Sequence, residues 1–215
     1  NGTKSQHSDP HVHLGMSYNG FQISPFPYLI ESYFRKYKDK VLAVAGGYRF
    51  AKTGDSLELD ATRSICPEGN SIESYQWVLH DGNIVNKPVV KVFYPKSGYF
   101  SEELIVYTKN GDIDKDFLQV RVNDPDGGRE IAYGWAYYYP VRNIRPGQSI
   151  LFWNRLINTK EEVVIDFGDG TAAVKVDNEI HHAYGKAGNY TVGFSSRGIN
   201  NEAVSVKMEV IVEPD

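Results

Sequence analysis

Beyond residue 40, apolar and polar positions alternate with period two, the spacing that puts every second side chain on one face of a strand. Leu57-Glu58-Leu59-Asp60-Ala61 shows it cleanly, and Ile72 to Leu79, Phe100 to Thr108 and Phe117 to Val122 read as further strands. Lys109-Asn110-Gly111-Asp112 between the last two predicts a hairpin turn. The apolar run Val163-Val164-Ile165 predicts a buried strand that ends in Asp166-Phe167-Gly168-Asp169-Gly170-Thr171. There the glycines can take φ > 0 without penalty and the aspartates can accept hydrogen bonds from the turn's own amides. That stretch is a rigid corner between strands. Before residue 43 the period changes. Apolar residues at 29, 30, 33, 34 and 37 fall on one face of a helix over residues 28–37. Pro27 suits its first turn, and Arg35, Lys36, Lys38 and Lys40 suit its C-terminal end. At that length a helix needs something to pack against.

The strand-and-corner pattern occurs twice. Trp77-Val78-Leu79-His80-Asp81-Gly82 stands in the first half where Ile165-Asp166-Phe167-Gly168-Asp169-Gly170 stands in the second, and Tyr94 and Gly98 recur 90 residues on as Tyr184 and Gly188. Gly54-Asp55-Ser56-Leu57-Glu58-Leu59 is echoed by Gly147-Gln148-Ser149-Ile150-Leu151-Phe152. A period near 90 fits two tandem domains and not a solenoid of short units. The pattern resembles the PKD (polycystic-kidney-disease) domain, an immunoglobulin-like β-sandwich of extracellular proteins. The second copy carries the family's W-x-F-G-D-G-T…H-x-Y…G-x-Y-x-V motif as Ile165 to Thr171, His182-Ala183-Tyr184 and Gly188-Asn189-Tyr190-Thr191-Val192, with Ile165 in the tryptophan position. The first copy keeps Trp77 but has Leu79-His80-Asp81-Gly82 for F-G-D-G and Val92 in the histidine position. The fold expected is all-β. A leader or tail of an upstream domain (1–42, with one helix) precedes two tandem PKD-like sandwiches, 43–124 and 129–213. Trp77 is expected to plug the first core.

Composition narrows the function classes. The 215 residues carry a formal net charge of −4, which argues against nucleic acid, whose binders need a basic stripe. No apolar run approaches the ~20 residues of a membrane helix. Asn1-Gly2-Thr3 shows neither a charged nor an apolar signal region, so a secretion signal is expected to be absent or already removed. Cys66 is the single cysteine and sits outside familiar nucleophile contexts. The 15 Tyr, 10 Phe and 3 Trp, 13% of the chain, combine flat apolar faces with polar edges, suited to core packing and to sugar contact alike.

Candidate chemistry lies in four places. Tyr133-Gly134-Trp135-Ala136-Tyr137-Tyr138-Tyr139, if extended, lines one face with Tyr133, Trp135, Tyr137 and Tyr139 and puts Tyr138 on the other. Such a row is either a platform for sugar rings or a buried opening strand. Trp153 alternates with Phe152, so one of the two must face outward. In the leader, Asp9-x-His11-x-His13 has the spacing of barrel metal ligands, but such a barrel needs ~250 residues and no second ligand cluster follows. Asp124 and Asp126, in Asn123-Asp124-Pro125-Asp126-Gly127-Gly128, could offer oxygens to Ca²⁺ at the linker, although a full site needs six or more. The bland reading is a solvated turn. Asp166, Asp169 and His182 lack a nucleophile motif such as G-x-S-x-G and read as turn formers.

The expectation is therefore a non-catalytic spacer without an obligatory cofactor. As the resemblance implies, it would belong to a secreted or cell-surface polysaccharide-acting protein; where it binds carbohydrate, the aromatic residues Trp135, Tyr137, Tyr139 and Trp153 would make the contact. Its partners would be a polysaccharide and an upstream domain of the same protein, with no nucleic acid and no membrane span. Two alternatives stay open: the C-terminal fragment of a secreted hydrolase whose leader supplies catalytic or metal-binding His11 or His13, and a purely structural cell-surface module with the aromatic strand buried.

Overall fold

The alternating stretches become strands. The computed structural model describes residues 16–18, 21–23, 29, 32, 34, 41–124 and 130–214, and the chain divides into two compact units, residues 1–40 and 41–215. In the first unit β1 (Met16–Tyr18) and β2 (Phe21–Ile23) pair antiparallel. Most of the helix expected over 28–37 lies outside the described residues, as do His11 and His13.

In the second unit the first sandwich comprises β3 (Arg49–Lys52), β4 (Ser56–Asp60), β5 (Ile72–Val78), β6 (Ile84–Val85), β7 (Val89–Phe93), β8 (Gly98–Thr108) and β9 (Ile113–Asn123). Strands β4 and β7 form one sheet; β6, β5, β8, β9 and β3 form the other, with β3 parallel to β9. Between them lie Leu59, Trp77, Tyr94, Leu104 and Leu118, all fully buried. Trp77 is the core plug expected. Residues 41–45 carry a single bridge, Leu42 to Ile65. Side chains replace the ladder: the Ala43 and Ala45 amides donate to Asp114 and Asp116, each at 2.7 Å. Burial pushes the Asp116 carboxyl above its usual range, against the pull of these amide bonds.

The second sandwich comprises β10 (Tyr133–Tyr139), β11 (Ile150–Ile157), β12 (Val163–Asp166), β13 (Val174–Val176), β14 (Glu179–His182), β15 (Gly188–Arg197) and β16 (Ala203–Val212), of which β11 to β16 pair as β4 to β9 do, while β10 joins the small sheet instead of the large one. Sheet β10-β11-β14 faces β13-β12-β15-β16 across Phe152, Ile165, Tyr184 and Phe194. The internal repeat shows in a shared hydrogen bond. The Gly54 amide donates to the Tyr94 carbonyl and the Gly147 amide to the Tyr184 carbonyl, both at 2.8 Å.

The two sandwiches are joined by more than the stretch after Asn123. Strand β16 pairs in parallel with β8, Ala203 opposite Gly98 and Val204 opposite Tyr99, joining both large sheets. Gly98 permits the approach: a Cβ there would stand 2.8 Å from the Ala203 carbonyl oxygen. Tyr99 packs into the second core and donates its hydroxyl to the Gly134 carbonyl at 2.9 Å. A polar seam follows. Glu103 accepts from Thr191 at 2.9 Å and pairs with Lys115 at 3.2 Å and Lys207 at 3.5 Å. Nearby, burial and the Asp114 charge push the Glu209 carboxyl up to about 7.

Candidate functional site

Strand β10 is extended, so its odd-numbered residues share one face. Trp135, Tyr137 and Tyr139 point outward with 48%, 42% and 68% of their surface exposed, while Tyr138 turns inward onto Phe152 and donates to the Glu209 carbonyl at 2.8 Å. On the neighbouring strand Phe152 takes the core and Trp153 the outer face. The register sets Tyr137 directly opposite Trp153, and their rings stack at 4.8 Å with 23° between planes. The structure thus gathers Trp135, Tyr137, Tyr139 and Trp153 on the outward face of β10-β11-β14.

Polar groups frame these rings. The Trp153 indole N–H donates to Glu179 at 3.1 Å from strand β14. Arg155, opposite Trp135 in the register, lies over the Tyr137 ring at 5.8 Å and donates to the Asn154 and Asn178 carbonyls. His181 and Ser149 approach to 3.1 Å at the far edge. Flat π faces bordered by donors and acceptors are the arrangement that sugar rings accept, C–H bonds against the ring and hydroxyls to the rim. Sequence reasoning named the rings but missed Arg155 and Glu179. Period two places Arg155 on the same face as Trp153, a signal that could have found it, whereas Glu179 reaches Trp153 only by strand pairing.

The corners are structural. Asp166 accepts the Gly168 amide at 2.9 Å, and Asp169 accepts the Thr171 amide at 3.0 Å and the His182 Nε2 contact at 2.8 Å. Burial works against the Asp169 charge, but the bonds from Thr171 and His182 outweigh it and hold its carboxyl below the usual range. His182 lies flat on Phe167 at 3.8 Å. The first corner reaches the same end by other residues. His80 stacks on Tyr94 at 5.0 Å, with its Nδ1 2.6 Å from the fully buried Glu102. Sequence reasoning did not single out that pair. A cleft of about 650 Å³ opens beside it, bordered by Lys96, Phe100, Arg197 and Asn200.

Among the described residues no three His, Cys, Asp or Glu side chains come together as metal ligands. Asp124 accepts from the Thr53 hydroxyl at 3.2 Å; Asp126 lies outside the described residues. No helix among the described residues is long and apolar enough to cross a membrane.

Residues 40–123 match the PKD domain family. Among solved structures, the PKD1 domain of Vibrio anguillarum Epp is 20% identical, with 40% of this chain and 98% of that one covered and a TM-score of 0.35. A carbohydrate-binding module of the β-sandwich superfamily is 14% identical over 81% of this chain and 85% of that one, TM-score 0.35. Bacteroides ovatus SGBP-B, solved with a mixed-linkage heptasaccharide, is 14% identical over 81% of this chain and 47% of that one, TM-score 0.29. No curated protein matches the chain.

Proposed function

We propose that the chain is a non-catalytic accessory module of a secreted or cell-surface polysaccharide-acting protein, and that it holds polysaccharide on the outward face of β10, β11 and β14. In this reading residues 43–124 and 129–213 are tandem PKD-type sandwiches, and the shared pairing of β4–β9 and β11–β16 supports the second copy. The observation that carries the function is the exposed row Trp135, Tyr137 and Tyr139 with Trp153 stacked on its middle ring. Contiguous apolar surface left in water marks an interaction site more often than a bare scaffold. The exposure of Trp135 and Tyr137 therefore favours binding over a purely structural module, in which the strand would be buried. The rival hydrolase-fragment reading rests on His11 and His13, outside the described residues. Single sites of this kind are weak and gain through tethering to a partner domain.

Trp135→Ala and Trp153→Ala are each expected to weaken retention on an insoluble polysaccharide about tenfold, roughly 1.4 kcal/mol, without moving the thermal unfolding midpoint by more than a degree or so. Retention is measured by pull-down across a panel of plant, algal and bacterial polysaccharides. Unchanged retention of both variants, or a wild-type chain that no polysaccharide in the panel retains, removes the binding reading.

A further inference from the structure

We propose that this face takes an anionic polysaccharide, laid as an extended chain from Tyr139 across the junction to Phe50, with Arg155 and Arg121 meeting its carboxylate or sulfate groups. The inference rests on the glycan reading above and names the ligand class.

The rings do not stop at the second sandwich. Tyr133, half-buried against the second core, lies under the Arg121 guanidinium at 4.4 Å, and Arg121 belongs to β9 of the first sandwich. The Tyr48 ring lies 5.9 Å from that of Tyr99, the residue opposite Arg121 in the β8–β9 register. Tyr48 in turn contacts the exposed ring of Phe50 at 4.8 Å. Phe50 is opposite Arg121 in the β3–β9 register, so both occupy the outer face of that sheet. Rings therefore follow one another at every second position along β10 from Tyr139 to Tyr133, and from Tyr133 the contacts pass to Arg121, beside which Phe50 stands on β3. Only a chain of several units can touch both ends. The β16–β8 pairing holds the two halves of the path in fixed relation.

The charge on the path is distinctive. Arg155 uses one nitrogen for two backbone carbonyls, and Arg121 uses its Nε for the Asn123 side chain at 3.4 Å. Among the described residues neither guanidinium has a carboxylate within ion-pair distance. The chain has 27 acidic against 23 basic residues, so acids are not scarce. Glu179, the acid beside the Trp153 ring, is engaged by the indole N–H. A guanidinium has five N–H donors, and those left over suit bidentate contact with a carboxylate or sulfate. The overall charge of −4 does not forbid such a ligand, because physiological salt screens distant charges beyond about 8 Å.

The test is affinity electrophoresis of the whole chain in gels containing polygalacturonate, alginate or a neutral β-glucan, at low and high salt, with short and long oligosaccharides as competitors. The account expects retardation by at least one anionic polymer, several-fold weaker at high salt, and little by the neutral one. Arg155→Gln is expected to lose about tenfold in affinity for short and long chains. Arg121→Gln and Phe50→Ala are expected to lose several-fold for long chains alone, with Arg121→Lys restoring part of the loss. Equal, salt-insensitive retardation by the neutral glucan with no effect of either arginine substitution overturns the anionic assignment and leaves the aromatic platform standing. Absence of retardation in every gel overturns both.

Discussion

Gly168→Ala is expected to destabilise the second sandwich by about 3 kcal/mol or more, while Gly170→Ala costs only about 1 kcal/mol. Both glycines have positive φ, +74° and +85°, and the left-handed conformation alone costs an L-residue roughly 1–2 kcal/mol. Their surroundings separate them. A Cβ on Gly170 meets nothing within 4 Å, whereas one on Gly168 would stand 2.3 Å from the Thr191 carbonyl oxygen. That oxygen belongs to β15, central between β12 and β16, so the clash is with backbone that cannot swing aside. Urea unfolding of the two variants measures the difference. Equal losses would mean that the corner shifts freely and is no rigid support for β12 and β15.

Glu102→Ala is expected to cost roughly 3 kcal/mol or more, because each buried donor left without its acceptor costs about 1–3 kcal/mol. The Glu102 carboxylate is fully buried and accepts the His80 amide at 2.7 Å and the Tyr94 hydroxyl at 3.0 Å, besides its 2.6 Å contact with His80 Nδ1. Truncation leaves all three groups without that partner in an apolar surround. Glu102→Gln keeps an acceptor and is expected to lose about half as much. Denaturant titration at neutral pH checks both. A loss below about 1 kcal/mol for the alanine variant would show that water replaces the carboxylate and that the clasp does not hold the first corner.

These two sites show what the chain discloses by itself. The second corner was legible because its glycines and aspartates have one geometric use, and Asp166, Asp169 and His182 serve it. The duplicated glycine and tyrosine positions gave the two sandwiches, since each repeats one hydrogen bond. Glu102 was hidden because its counterpart 90 residues on is Val192 and because an acidic residue on an alternating strand reads as solvent-facing. Strand β8 breaks that rule: it is central, and the second sandwich covers its outer face, so even Ser101 and Glu103 are buried. Pairing between β8 and β16 was equally invisible, for no local pattern encodes a contact spanning more than 100 residues. On the candidate face, period two separated Trp135, Tyr137 and Tyr139 from Tyr138. It could not say which of Phe152 and Trp153 faces out, and only the packing of β11 across the core decides that.

Three tryptophans in distinct settings allow one direct measurement. Trp77 is fully buried in the first core, whereas Trp135 and Trp153 lie on the outward face of the second sandwich. Their indole N–H signals in a ¹H–¹⁵N correlation spectrum can be followed while a retained polysaccharide, cut to soluble oligosaccharides, is titrated in. The account predicts that the Trp135 and Trp153 signals move together and saturate at one affinity while Trp77 stays in place. Movement of Trp77 alone, or saturable binding that leaves Trp135 and Trp153 still, would contradict it.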